Sequence, residues 1–220
     1  MTDFAQARRA MVDGQVRVND VTDAAVISAM LDVPRERFVP EARIALAYID
    51  EDICLVKAGP GKPARFLMEP MVFARLVQAL ELRPDSKVLD IGCATGYSAA
   101  VLSRIANEVV ALEEDTALAE MAGKLVRTPN VEIISGKASA GCPGHAPYDA
   151  IFIGGSIEDV PDVLTSQLKD GGRLVAVIRK GSAARAMLYL RAGEHVSIRR
   201  LFDAAIPPLP GFEKPHPFIF

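Results

Sequence analysis

The sequence predicts an α/β fold: a doubly wound, mostly parallel sheet with an antiparallel edge and a short helical N-terminal extension. Three observations carry this. From Lys87 onward, short apolar runs alternate with helical segments, the pattern of βαβ units. The first apolar run leads through a glycine turn into a helix, the arrangement that places ligand loops at the carboxyl ends of strands. From Ala184 the pattern changes to two strands with no helix between them, which makes an antiparallel edge.

In chain order, residues 4–10 predict a short helix ending before Gly14. Thr22 is placed to cap a second helix over 23–31, with Val26, Ile27, Met30 and Leu31 as its apolar stripe. Pro34 closes that helix and opens a charged connector to Pro40 that carries an apolar hook, Phe38-Val39. A strand-like run over 53–61 meets the turn Gly59-Pro60-Gly61. Pro63 and Pro70 bracket a loop over 64–69, and a helix over 71–82 follows. Strands are predicted over 87–91, 108–112, 131–135, 149–153 and 173–178. Helices are predicted over 97–106, 115–126 (capped by Asp115 or Thr116) and 160–168. The edge strands are 184–190 and 195–203. The expected division is an extension with a substrate-side strand and loop over 1–62, and one ligand-binding unit over 63–220.

Composition excludes several classes. The 220 residues are 50% hydrophobic with a formal net charge of −3, too apolar and too weakly charged for disorder. A near-neutral chain without tryptophan lacks both the basic face and the stacking platforms of a nucleic-acid binder. No apolar run reaches the roughly 20 residues that span a bilayer, and residues 1–9 lack a signal-peptide core. Three scattered cysteines, Cys54, Cys93 and Cys142, read as free thiols of a reducing cytosol, hence a cytoplasmic protein. His145, His195 and His216 lack metal-ligand spacing, so no metal is expected. Oligomeric state is open.

The chemistry is expected after the strand over 87–91. The turn there, Gly92-Cys93-Ala94-Thr95-Gly96-Tyr97, has Ala94 and Tyr97 where a dinucleotide fingerprint needs glycine, and no P-loop lysine follows. Asp90 sits inside the strand end, suited to a ligand with a cationic amino-acid part. Glu113 ends the next strand, near the offset at which an acid meets ribose hydroxyls. Two strand-end acids and a glycine turn describe S-adenosylmethionine better than NAD or ATP. The alternative leaves Asp90 as a turn cap and Glu113 as a solvated charge.

The segment Val88-Leu-Asp-Ile-Gly-Cys-Ala-Thr-Gly-Tyr-Ser98 resembles motif I of class I methyltransferases. Leu31-Asp-Val-Pro-Arg-Glu-Arg-Phe-Val-Pro40 and Pro147-Tyr-Asp-Ala-Ile-Phe-Ile153 resemble the protein-L-isoaspartate O-methyltransferase branch, as do Gln167-Leu168 and Gly171-Gly172-Arg-Leu-Val175. The resemblance runs from Val21 to Val177 and implies a seven-stranded, Rossmann-like sheet. It implies methyl transfer from S-adenosylmethionine to a carboxylate of isoaspartyl protein, leaving S-adenosylhomocysteine. The implied cofactor residues are Asp90, Gly92, Cys93, Ala94, Gly96, Tyr97, Glu113, Glu114, Gly136, Lys137 and Ala138. The implied substrate wall is Arg65, Phe66, Met68 and Glu69. The tail Pro207-Pro-Leu-Pro210 resembles the family's late segment near the cofactor.

Two departures stand out. The family loop resembles Gln-Thr-Ile-Ser-Gln-Pro, whereas this chain has Arg65-Phe-Leu-Met-Glu-Pro70, with Met68 at the serine position. A thioether donates no hydrogen bond, so no catalytic residue is assigned there. The family's Gly-Asp-Gly, whose aspartate contacts the adenine amine, is here Gly136-Lys137-Ala138. Arg65 is read either as a bidentate carboxylate binder or as a solvated loop charge. Met68 is read as apolar packing. Glu69 is read as a helix cap or a site residue, and Arg179 and Lys180 as surface charge. Three functions stay open: isoaspartyl methylation, another methyl acceptor, or a cofactor-binding scaffold without catalysis.

Overall fold

Apolar β-branched runs that can be buried on both faces form the centre of the molecule. In the computed structural model, which describes residues 3–213, these are β3 (Lys87–Ile91), β4 (Glu108–Glu113), β6 (Tyr148–Ile157) and β7 (Leu168–Lys180), with β5 (Val131–Ser135) a less buried strand at the sheet's edge. With β8 (Ala183–Ala192) and β9 (His195–Asp203) they make one seven-stranded sheet in the order β5-β4-β3-β6-β7-β8-β9. The pairs from β5 through β7 are parallel, and β7-β8 and β8-β9 are antiparallel. The expected mostly parallel sheet with an antiparallel edge is therefore observed.

The sheet is covered on both faces because side chains alternate along each strand. Val88, Val109, Phe152 and Val175 face one core, shared with α2 (Ala24–Asp32), α3 (Pro70–Ala79) and α4 (Tyr97–Leu102). Leu89, Val110, Ile151 and Leu174 face the other, shared with Leu164 of α6 (Asp162–Thr165) and with Phe212. The N-terminal helix α1 (Phe4–Met11) ends with Met11 in the first core, so the extension and the sheet share packing. α5 (Thr116–Leu125) is capped by Asp115, whose carboxylate accepts from the amides of Ala117 and Leu118.

Several boundaries differ from expectation, each for a local reason. α1 runs on through a π turn, Val12–Val16, which carries Gly14 inside it. Asp23, not Thr22, caps α2, because its carboxylate reaches the amides of Ala25 and Val26. The loop over 64–69 contains β2 (Arg65–Leu67), paired antiparallel with β1 (Ile53–Val56), so residue 62 lies in the turn between paired strands. The helix before β7 is one turn long, and β7 already starts at Leu168, opposite Tyr148. The expectation for His216 lies outside the described residues. Among the described residues, no helix is long and apolar enough to cross a membrane.

Candidate active site

Strand order reverses at β3, with β4 and β5 on one side and β6 on the other. Ligand crevices of open sheets form at that reversal, beyond the carboxyl ends. The β3–β4 register pairs Asp90 with Ala111, so both strands deliver an acid near the same rim: Asp90 and Glu113.

The turn between them is held by its own backbone. Gly92 has φ +77° and Gly96 φ +93°, conformations that favour glycine. A Cβ on Gly92 would lie 2.6 Å from the Leu209 side chain, and one on Gly96 would lie 2.6 Å from Val126 of the α5 end. Gly96 is thus required by turn geometry and packing. Ala94, at φ +50°, adopts the same left-handed region without being glycine. Thr95 donates to the Phe38 carbonyl at 2.7 Å, which ties the turn to the N-terminal hook.

Glu113 is fully buried, and both its oxygens are engaged. Oε1 accepts from the Asp115 amide at 3.0 Å and from Arg65. Oε2 accepts from the Ala94 amide at 2.8 Å and from Arg65 Nη2 at 2.7 Å. Arg65 is itself 7% exposed, so it is not a solvated loop charge: it is a buried, bidentate partner of Glu113. Asp90 is also fully buried. One oxygen accepts from Ser98 Oγ at 2.6 Å, and Oδ1 has no partner among the described residues. Burial, with a smaller contribution from the Glu113 charge, pushes the Asp90 carboxyl up to about 7 against the opposing Ser98 bond.

Two hollows meet at this rim. A cleft of about 230 Å³ is lined by Lys62, Pro63, Gly92, Glu113, Glu114 and Ala138, among others. Beside it, a narrow recess is lined by Asp52, Phe66, Met68, Gly154 and Gly155. Arg65 and Leu209 line both, so these two side chains stand between them. A hollow of about 330 Å³ lies at the other end of the sheet, beside Ser86 at the amino end of β3 and beside Gly171, Gly172 and Arg173, away from either acid.

The expected cofactor residues therefore separate. Gly92, Glu113, Glu114 and Ala138 line the cleft, and Ala94 contributes its amide to Glu113. Lys137 is exposed, and neither it nor Gly136 lines the cleft. Cys93 is buried, its thiol pushed up mainly by burial. Tyr97 packs away from the cleft, its ring centroid 5.6 Å from those of Phe38 and Phe73. Of the substrate wall, Phe66 and Met68 line the recess. Glu69 precedes α3 and makes no side-chain cap. Burial and the charges of Asp52, Asp50 and Glu51 push its carboxyl up to about 7, while burial pushes Asp52 up to about 6.

Arg35 and the role of Arg179 escaped the sequence reading, whereas Leu209 belongs to the tail that the resemblance put near the cofactor. Arg35, in the charged connector, is fully buried. It donates to the carbonyls of Ala47 at 2.8 Å and Met68 at 2.7 Å, with its guanidinium carbon 4.8 Å from the Tyr97 ring centroid. It fixes the backbone of the recess wall. Leu209 arrives because the Ser156 amide donates to Pro207 and Leu209 in turn donates to Ser156, zipping the tail onto β6. Arg179, expected as surface charge, holds that tail through the Ile206 carbonyl at 2.5 Å. The available signal was an arginine set between apolar hooks in Val33-Pro-Arg-Glu-Arg-Phe38.

A family model described as protein-L-isoaspartate (D-aspartate) O-methyltransferase matches residues 6–211. The chain belongs to this family. A Roseiflexus sp. (strain RS-1) protein-L-isoaspartate O-methyltransferase is 38% identical over 95% of this chain and 94% of that relative. A Rhodopseudomonas palustris (strain HaA2) protein-L-isoaspartate O-methyltransferase 1 is 36% identical over 96% and 86%. A solved protein-L-isoaspartate O-methyltransferase shares the fold with a TM-score of 0.82 at 24% identity, covering 93% of this chain and 67% of that one. A solved Plasmodium falciparum protein in complex with S-adenosyl-L-homocysteine shares the fold with a TM-score of 0.76 at 20% identity, covering 93% and 98%.

The residues present fit such a nucleoside. Asp90 Oδ1 is a buried acceptor in want of a donor, which an α-ammonium group supplies. Glu113 offers a buried carboxylate beside a cleft of nucleoside scale.

Proposed function

We propose that this chain transfers a methyl group from S-adenosylmethionine to the carboxylate of an L-isoaspartyl residue in damaged protein. The observation that carries the reading is a family match over residues 6–211 that includes both strand-end acids and the cleft lined by one of them, Glu113. When bound, the cofactor supplies an electrophilic methyl group on a sulfonium sulfur. A carboxylate oxygen forms the new bond to that carbon, the carbon–sulfur bond breaks, and its electron pair stays on sulfur. The products are a methyl ester and a neutral thioether, and no proton moves.

The acceptor is ionised at neutral pH, so the site needs no strong base. Its work is alignment and exclusion of water. Glu113 would hold the ribose diol, Asp90 the α-ammonium group, and Ala138 and Glu114 the edge of the cleft beside the base. Phe66 and Met68 would wall the acceptor side with apolar surface. The three free thiols agree with a reducing, cytoplasmic setting.

The test is methyl incorporation from labelled S-adenosylmethionine into an isoaspartyl peptide and its aspartyl twin. Labelling of the first alone is expected. Labelling of neither, with the cofactor bound, would assign a different acceptor.

A further inference from the structure

We propose that Arg65 works in two positions: held on Glu113 while the ribose site is vacant, and released to grip the substrate carboxylate once the cofactor's ribose diol takes its place. This rests on the function proposed above and adds the acceptor-binding residue that function lacks.

The first argument is the valence of Glu113. A carboxylate has about four acceptor positions. Two are held by the amides of Ala94 and Asp115, fixed in the turn and at the α5 cap. The other two are held by Arg65 alone. A vicinal diol brings two hydroxyl donors, and only the Arg65 positions are open to exchange. Cofactor and guanidinium therefore compete for the same two sites.

The second argument is where Arg65 goes. It lines the recess as well as the cleft. Among the described side chains lining the recess it is the only cation, and the positions that resemble the family's hydroxyl residues carry Phe66 and Met68. Asp52, which also lines the recess, would repel an acidic substrate when ionised. A guanidinium fork fits a carboxylate bidentately and leaves one lone pair on each oxygen for attack. Staying near Glu113 beside an arriving sulfonium would set two cations together. A substrate carboxylate gives the displaced charge a partner.

The consequence is coupling. Acceptor and cofactor should each tighten the other's binding by the same factor. The parked state lowers the apparent cofactor affinity by the fraction of molecules with Glu113 free.

The experiment titrates S-adenosylhomocysteine and a synthetic isoaspartyl peptide, separately and together, into the wild type, Arg65→Ala and Arg65→Gln, with thermal unfolding as the check on folding. In the wild type, the peptide should bind at least about tenfold more tightly with the nucleoside present. Arg65→Ala should bind the nucleoside more tightly than the wild type, by about tenfold or more, and lose the coupling to peptide. Arg65→Gln, which retains an amide donor and most of the volume, should fall between. Equal or weaker nucleoside binding in both folded variants overturns the parked position. Coupling that survives in both overturns the grip on substrate. Nucleoside binding by neither the wild type nor either variant rejects the proposed function itself, and the proposal with it, whereas binding by a variant alone supports the parked position.

Discussion

Asp90 and Glu113 end adjacent parallel strands at one rim, and both are fully buried, yet their surroundings are opposite. Glu113 has two amides and a guanidinium, so every oxygen is satisfied and its charge is cancelled. Asp90 has one hydroxyl and, among the described residues, an oxygen with nothing to accept from. The first acid is settled in the ligand-free protein and must be unsettled to bind. The second is strained in the ligand-free protein and is relieved by binding. On the roles proposed for them, Glu113 would resist the ribose and Asp90 would draw in the cation.

The sharpest way to break the contrast is Glu113→Ala. It strands a guanidinium that is 8% exposed and removes the carboxylate that orders two amides. Loss of one partner of a buried pair costs about 3–5 kcal/mol of stability. Denaturant unfolding should show that loss. Nucleoside binding should also weaken by about 1.5–3 kcal/mol, the worth of hydrogen bonds to a charged group. An unchanged affinity would remove Glu113 from the ribose role.

Asp90→Asn should move stability the other way. An unfolded aspartyl carboxyl ionises near pH 4, and the folded one at about 7. Between those values the folded state holds a proton the unfolded chain has lost. Stability therefore falls as pH rises from about 4 to about 7 and is level above. The full penalty is as much as ~4 kcal/mol at one pKa unit per 1.36 kcal/mol. Asp90→Asn should flatten this slope and stabilise the protein at pH 8, while weakening nucleoside binding. In the wild type, binding an ammonium group at Asp90 should release a proton below pH 7, so affinity should climb between pH 6 and pH 8 and stop climbing in the variant.

Ser98→Ala tests the one bond Asp90 has. That hydroxyl holds the carboxyl down, so its loss should carry the titration midpoint above 7 and cost about 1–2 kcal/mol at pH 8. A midpoint that stays put would mean that burial and the Glu113 charge alone set it.

The rim was legible in the sequence because its parts are local. Asp90, the glycine turn and Glu113 belong to one βαβ unit whose strands are continuous apolar runs, and each residue's place follows from its own neighbours. The substrate side was not legible because its parts meet across the chain. β2 exists only through pairing with β1, and three residues of Arg65-Phe-Leu carry too little alternation to announce it. Arg65 reaches Glu113 across 48 positions, so its burial is a tertiary fact. Arg35 read as a charged connector because sequence shows its charge and hides the carbonyls of Ala47 and Met68 that receive it. Leu209 likewise enters the site only because Ser156 pairs with the tail.

The smallest effect concerns how the settled acid is kept settled. Ala94 presents its amide to Glu113 Oε2 from the left-handed region, where a Cβ is unfavourable by roughly 1–2 kcal/mol. Glycine would relieve that strain, yet it frees the unfolded chain by about 0.4–1 kcal/mol. Ala94→Gly should therefore shift stability upward by about 0–1.6 kcal/mol in denaturant unfolding. If the amide's position is what keeps Glu113 in place, nucleoside affinity should hardly change, because glycine reaches the same φ without strain. A marked loss of affinity would mean that the alanine methyl itself shapes the turn, and the backbone account of the Glu113 side would then be incomplete.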